Sequence, residues 1–162
     1  PRRGRRHALR IVRELVACER RSRGTNIAGA LQTLMRVTRK HSLAFLISDM
    51  IDNRFDDVLA VAGKRHDLVG LRLVDARDVT CPAVGYVRVE DAETGVQRFV
   101  YLGRRETAAS RQTAEERLRR QARQFAQCDV DLVDINCGID YMQPLMKFFR
   151  TREHRHHAAV TS

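Results

Sequence analysis

Helical periodicity accounts for much of the chain. Near the amino terminus, apolar residues recur at intervals of three and four, as Leu9, Val12 and Val16 show. A second set of apolar residues with helical spacing follows. Thr25 or Asn26 precedes it at the capping position, where a side-chain oxygen accepts a hydrogen bond from an amide of the first turn. The spacing predicts a series of helices, which covers residues 7–20, 27–40, 55–62, 106–127 and 140–152.

Short apolar runs between these helices predict strands. Residues 42–49 form a continuous run closed by a carboxylate, which is typical of a parallel strand buried on both faces. Residues 68–74 form a second such run, and the order strand, helix, strand predicts a parallel pair with a right-handed crossover. Residues 84–89 and 97–102 alternate in character and predict a β-hairpin, and residues 130–135 predict a further strand.

The alternation of helices and strands predicts one α/β domain. Its expected core is a partial doubly wound, Rossmann-type, mainly parallel sheet flanked by helices, with the β-hairpin as an insertion. A chain of 162 residues, 43% of them hydrophobic, is long enough for one such core. We expect residues 1–152 to form the domain and residues 153–162 a polar tail. No run approaches the roughly 18 apolar residues that a membrane span needs.

The net charge of +10 is concentrated in two stretches. Residues 1–24 hold nine Arg against two Glu, and residues 104–123 hold seven Arg against three Glu. Such stretches are either solvated helix faces or surfaces that attract phosphate backbones or acidic proteins. Tyr86, Phe99 and Tyr101 lie near one another in the predicted hairpin, where they are candidates for stacking on nucleic-acid bases; a hairpin core explains them as well.

Little in the sequence favours catalysis. His66 lies in a helix-to-strand turn, and no recognisable motif places a Ser or Cys beside it, so a core or turn histidine is favoured over a catalytic base. The chain lacks a G-x-x-x-x-G-K-[ST] loop and is not expected to hydrolyse nucleotide. We expect no enzyme. The cysteines form no C-x-x-C pair and are expected to be reduced thiols of a cytoplasmic protein: Cys18, Cys81, Cys128 and Cys137.

Two short segments resemble parts of a known metal site. Gly24-Thr25-Asn26-Ile27-Ala28-Gly29-Ala30-Leu31, followed by Ile47-Ser48-Asp49, is similar to the second and third parts of the metal-ion-dependent adhesion site of von Willebrand factor A domains. The resemblance implies that Thr25 supplies a hydroxyl and Asp49 a carboxylate to Mg²⁺. The D-x-S-x-S loop that supplies that family's main ligands is absent from this sequence. Because Mg²⁺ demands near-octahedral oxygen coordination, we expect this chain alone to be metal-free or poorly loaded. The alternative is that Thr25 is a helix cap and Asp49 a strand-end carboxylate.

A second resemblance covers nearly the whole chain. Its blocks are Ser48-Asp49-Met50-Ile51-Asp52, Lys64-Arg65-His66-Asp67-Leu68-Val69, Cys81-Pro82-Ala83-Val84-Gly85, Asp91-Ala92-Glu93-Thr94-Gly95, Asp140-Tyr141 and Phe148-Phe149-Arg150. In this order they resemble the bacterial domain-of-unknown-function family fifty-eight, whose members look like von Willebrand factor A proteins and are usually paired with a MoxR-type AAA+ ATPase.

This second resemblance implies a protein-binding adaptor rather than a catalyst. It also implies that the chain is the carboxy-terminal part of one von Willebrand factor A-like domain, with the first strands missing. The strand at residues 42–49 would then expose an unpaired edge, through which we expect this chain to dimerise. The alternative function is nucleic-acid binding through the Arg-rich helices of residues 2–23 and 104–123.

Overall fold

The computed structural model of the chain describes residues 4–18, 24–52, 55–80, 82–91 and 95–160, and leaves out the side chains of residues 78 and 154–160. Helices and strands alternate over these residues, as predicted. In chain order the elements are α1 (Arg5–Val16), α2 (Ile27–Val37), β1 (Leu43–Ser48), α3 (Asp56–Arg65), β2 (Asp67–Val74), α4 (Ala76–Val79), β3 (Gly85–Glu90), β4 (Gln97–Leu102), α5 (Arg104–Gln127), β5 (Asp131–Asn136) and α6 (Met142–Val160).

Three strands form a parallel sheet in the order β1-β2-β5. Leu43 pairs with Asp67 at the start of β1, and Val69 pairs with Asp131 at the start of β5. The central strand β2 is almost continuously buried, which explains its unbroken apolar sequence. The mixed α/β class and the parallel sheet are therefore as the sequence predicts.

The burial predicted for β1 is wrong. Alternate residues of β1 are exposed, and Ile47 keeps 61% of its surface accessible. The reason is its place in the sheet: among the described residues β1 pairs only with β2, so it is an edge strand. On its outward face Phe45 meets the ring of Phe149 from α6, with centroids 6.1 Å apart. The exposed edge that the second resemblance implies is thus present.

Helices cover both faces of the sheet. On one face, residues from α2, α3 and α5 join the sheet in the larger core: Ile27, Leu31, Met50, Phe55, Leu59, Ala62, Leu68, Phe125 and Val130. On the other face, α6 packs Leu145 and Phe148 against a smaller core formed by Val69, Leu71 and Val133. This two-sided covering is the doubly wound arrangement.

The long helices differ in detail from the prediction. Helix α5 begins at Arg104 rather than at residue 106, and its buried stripe contains Ala114, Gln121 and Phe125, whereas Ala122 is exposed. Helix α6 continues to Val160 rather than ending near Arg152. Arg152 holds it to the amino ends of the strands through ion pairs with Asp67 and Asp131. Among the described residues, no helix is both long and apolar enough to cross a membrane.

Strands β3 and β4 form a separate antiparallel ribbon. Gly85 pairs with Leu102 and Glu90 with Gln97, so the hairpin is in the predicted place. Gly95 lies in the turn with φ +71°, which a residue without a Cβ adopts readily. Residues 92–94 of the same turn lie outside the described residues. The ribbon stands apart from the parallel sheet and contacts α5 through β4.

Candidate functional site

The loop that follows β1 is shaped by its own side chains. Asp49 Oδ1 accepts hydrogen bonds from the Ile51 amide at 3.0 Å and from the Ser48 hydroxyl at 3.3 Å. Ser48 Oγ in turn accepts the Met50 amide at 3.1 Å. The carboxylate of Asp49 therefore sits, exposed, at the carboxyl end of a parallel strand, where open α/β sheets bind ligands.

Met50 fixes the path of this loop. Its φ of +57° is in the left-handed region, which costs a side-chain-bearing residue roughly 1–2 kcal/mol. Its side chain is only 1% exposed and belongs to the larger core, so burial offsets the strain. A well-packed Met50 thus directs the preceding Asp49 outward.

The loop that carries Thr25 meets the Asp49 loop. The Ile27 amide donates a hydrogen bond of 2.6 Å to Asp52 Oδ2, which joins the start of α2 to the segment after β1. Of the two candidate caps, the structure uses Asn26, whose Oδ1 accepts the Gly29 amide at 2.7 Å. Thr25 is exposed beside the cap and is not the capping residue. The two segments singled out by sequence are therefore neighbours.

A buried polar network supports the same loop from below, and the sequence analysis did not identify it. Arg72 of β2 is 4% exposed. Its guanidinium donates to both carboxylate oxygens of Asp134 at 2.7 and 2.9 Å, to the Leu118 carbonyl at 2.7 Å, and to Gln121 Oε1 at 3.0 Å. The other end of Gln121 donates to the Met50 carbonyl at 2.7 Å. The network links β5, β2 and α5 to the Asp49 loop.

A groove runs from this loop along α5. Its inner end is a cavity of about 110 Å³ between Asp52 and Gln121. The wider part, about 810 Å³, is lined mainly by charged and amide side chains, among them Arg117 and Arg120 of α5. Part of the arginine charge of α5 thus lies beside the Asp49 loop. Elsewhere on this helix Arg111 and Arg119 each pair with Glu115, as solvated helix faces do.

The oxygen donors Asp49 and Thr25 are of the type that binds a hard cation, but they are too few to fill its coordination shell. Asp49 offers a carboxylate and Thr25 a hydroxyl, both of which are ligands that Mg²⁺ accepts. Within the described ranges, no group of three or more His, Cys, Asp or Glu side chains could hold a metal ion. Six-coordinate Mg²⁺ would need further ligands from water, from a partner or from other protein segments.

His66 and the cysteines do not form a second site. His66 is 1% exposed and neither ring nitrogen has a hydrogen-bond partner, so it is the core histidine that the sequence favoured. Cys18, Cys128 and Cys137 are not in disulfides, and Cys81 lies outside the described residues. Burial, followed by the nearby carboxylates of Asp56 and Asp57, raises the pKa of the Cys128 thiol. A raised pKa disfavours the reactive thiolate.

The hairpin aromatics are not a core. Tyr86 and Phe99 are each 80% exposed and Tyr101 is 50% exposed. Of the two interpretations that the sequence left open, the hairpin core is therefore wrong.

The amino-terminal arginine stretch is described only in part, since residues 1–3 and 19–23 lie outside the described residues.

Several proteins similar to this chain come from mycobacteria. It is 26% identical to an uncharacterized protein of Mycobacterium avium over 128 residues, which cover 78% of this chain and 76% of that protein. It is 27% identical over 153 residues to uncharacterized proteins of Mycobacterium bovis and Mycobacterium tuberculosis, which cover 92% of this chain and 48% of each of those proteins. The chain thus spans about half the length of these last two. No solved structure matches it significantly.

A family model described as "Protein of unknown function DUF58" matches residues 1–124, which include Thr25, Asp49, Arg72 and Gln121. On this match, which covers more than half of the chain, the protein belongs to the DUF58 family.

Proposed function

We propose that this chain is the carboxy-terminal part of a von Willebrand factor A-like, non-catalytic adaptor module that works with a MoxR-type AAA+ ATPase. The observation that supports this best is the hydrogen bond from the Ile27 amide to Asp52. It holds the Thr25 segment against the Asp49 segment at the carboxyl end of β1. The ATPase partner is implied by the family resemblance, and the chain itself has no phosphate-binding loop of the Walker type.

In the intact protein, Thr25 and Asp49 would contribute a hydroxyl and a carboxylate to Mg²⁺, and the bound ion would supply positive charge for an acidic side chain of the partner. The remaining ligands would come from water, from the partner, or from a loop in the first strands, which the proposal places outside this chain. The chain alone would hold the ion weakly.

The support beneath the loop is what a binding site of this kind requires. A site binds more tightly when its geometry exists before the partner arrives, because less conformational entropy is lost on association. Gln121 and the buried Met50 hold the backbone next to Asp49, so the carboxylate does not have to be ordered on binding.

The test compares two substitutions that each remove one carboxylate charge. Asp49→Asn keeps an oxygen that can accept the Ile51 amide, so the loop turn is retained while the ligand charge is lost. Asp129→Asn, at the opposite end of the sheet, is the control. Asp129 has φ +55°, which asparagine tolerates well.

Each variant of the full-length protein is titrated with the purified MoxR-type ATPase in Mg²⁺ and in EDTA. We expect Asp49→Asn and EDTA each to weaken binding at least about tenfold, or about 1.4 kcal/mol, and Asp129→Asn to leave it unchanged. Binding that survives both EDTA and Asp49→Asn would remove the proposal.

A further inference from the structure

One face of the β3–β4 ribbon carries three aromatic rings and an arginine. Tyr86 lies opposite Tyr101, and Arg88 lies opposite Phe99. Residues directly opposite in an antiparallel pair project from the same face, and so do residues two apart along a strand. These four side chains, which we call the aromatic face, therefore form one contiguous surface.

The aromatic face is open to solvent. Tyr86 and Phe99 are among the most exposed large hydrophobic side chains of the described residues, and Arg88 is exposed as well. The ring centroids of Tyr86 and Tyr101 are 5.0 Å apart and the rings are tilted by 53°, so the two rings are in contact but are not stacked face to face.

Arginines lie on and next to the aromatic face, together with two carboxylates. At the turn end of the same face, the carboxylate of Glu90 accepts a hydrogen bond from Gln97 Nε2 at 2.7 Å. Arg104 and Arg105 are exposed at the start of α5, directly after β4, where Glu106 offsets one of the two charges. The whole chain carries +10.

We propose that the aromatic face binds single-stranded nucleic acid, with bases stacked on Tyr86, Phe99 and Tyr101 and phosphates held by Arg88 and the start of α5. Bases stack on aromatic rings displayed by β-strands, and arginines track the phosphate backbone. This inference is independent of the adaptor proposal. It needs neither a metal ion nor the Asp49 loop.

The test measures fluorescence anisotropy of labelled oligothymidine and oligouridine, each about fifteen nucleotides long, in EDTA. Tyr86→Leu and Phe99→Leu remove a ring but keep an apolar side chain, and Phe99→Trp keeps a ring. Val89→Ala, on the opposite face of the same ribbon, is the matched control. Because Tyr86 and Phe99 are so exposed, all variants should have the wild-type melting temperature, which circular dichroism checks.

We expect each leucine variant to bind both oligonucleotides about tenfold more weakly, and Phe99→Trp and Val89→Ala to bind like wild type. Absence of binding at low salt would overturn the proposal. So would binding that ignores the leucine variants and is lost in Arg119→Glu with Arg120→Glu, because α5 rather than the ribbon would then be the nucleic-acid surface.

Discussion

Replacing Asp134 by alanine removes the carboxylate that holds the buried guanidinium of Arg72, and we expect the fold to lose about 2 kcal/mol. Removing one partner of a fully buried ion pair costs roughly 3–5 kcal/mol, because the other charge is left uncompensated. Here the side chain of Arg72 is 4% exposed but that of Asp134 is 48% exposed, so water reaches the vacated side. Leu118 and Gln121 also continue to accept hydrogen bonds from the guanidinium. Both effects lower the cost towards about 2 kcal/mol.

Urea unfolding followed by far-ultraviolet circular dichroism measures this loss, since the chain has no tryptophan for fluorescence. A double-mutant cycle of Asp134→Ala with Arg72→Met isolates the pair, and we expect a coupling energy of about 1–2 kcal/mol. Arg72→Lys should also be less stable than wild type, because an ammonium group cannot reproduce the bidentate geometry of the guanidinium. If Asp134→Ala costs less than about 0.5 kcal/mol, or if the two substitutions are additive, the network does not stabilise the fold as argued.

Three further outcomes follow from individual contacts. Gly70→Ala should destabilise the fold by about 2–3 kcal/mol in the same urea assay, because the added Cβ would lie 2.5 Å from Cε1 of Phe125; a variant as stable as wild type would show that the core yields. Asn26→Ala should cost about 1 kcal/mol through loss of the α2 cap, seen as a lower melting temperature, and an unchanged value would mean that the cap contributes nothing. At pH 8, iodoacetamide should label Cys137 faster than Cys128 by mass spectrometry. As the pH is raised, the labelling rate of Cys128 should still increase at pH values above the usual thiol pKa range, because burial raises its pKa and lowers the thiolate fraction at pH 8. A Cys128 rate that reaches a plateau within that range would contradict this.

The elements of the fold were largely predictable because the local pattern carries them. The apolar runs of β1 and β2 and the intervening helix predicted a parallel pair, which the structure has. Their burial was not predictable to the same degree. A continuous apolar run can occur in a central strand and in an edge strand alike. Only the strand order in the sheet distinguishes β2 from β1.

The candidate site was only partly predictable, for a related reason. Thr25 and Asp49 were identified through a resemblance, and the structure joins their segments through the Ile27–Asp52 hydrogen bond. The network beneath them was missed because Arg72 and Gln121 are 49 positions apart and each looks like an ordinary surface residue. A polar residue on the apolar stripe of α5 was the one available signal.

The exposure of the hairpin aromatics was also beyond the sequence. Alternating apolar residues predict a ribbon with one covered face, but they do not say which element covers it. Here α5 contacts the ribbon through β4, while Tyr86 and Phe99 remain exposed.

The central claim, that partners bind at the carboxyl end of β1, is tested most directly by photo-crosslinking in the full-length protein. A benzophenone amino acid replaces Ile51, which is exposed beside Asp49, or Val61, which is equally aliphatic and exposed on α3. We predict crosslinks to the MoxR-type ATPase from position 51 in Mg²⁺, their loss in EDTA, and none from position 61. Crosslinks from position 61 alone, or equal yields from both positions regardless of Mg²⁺, would contradict the account.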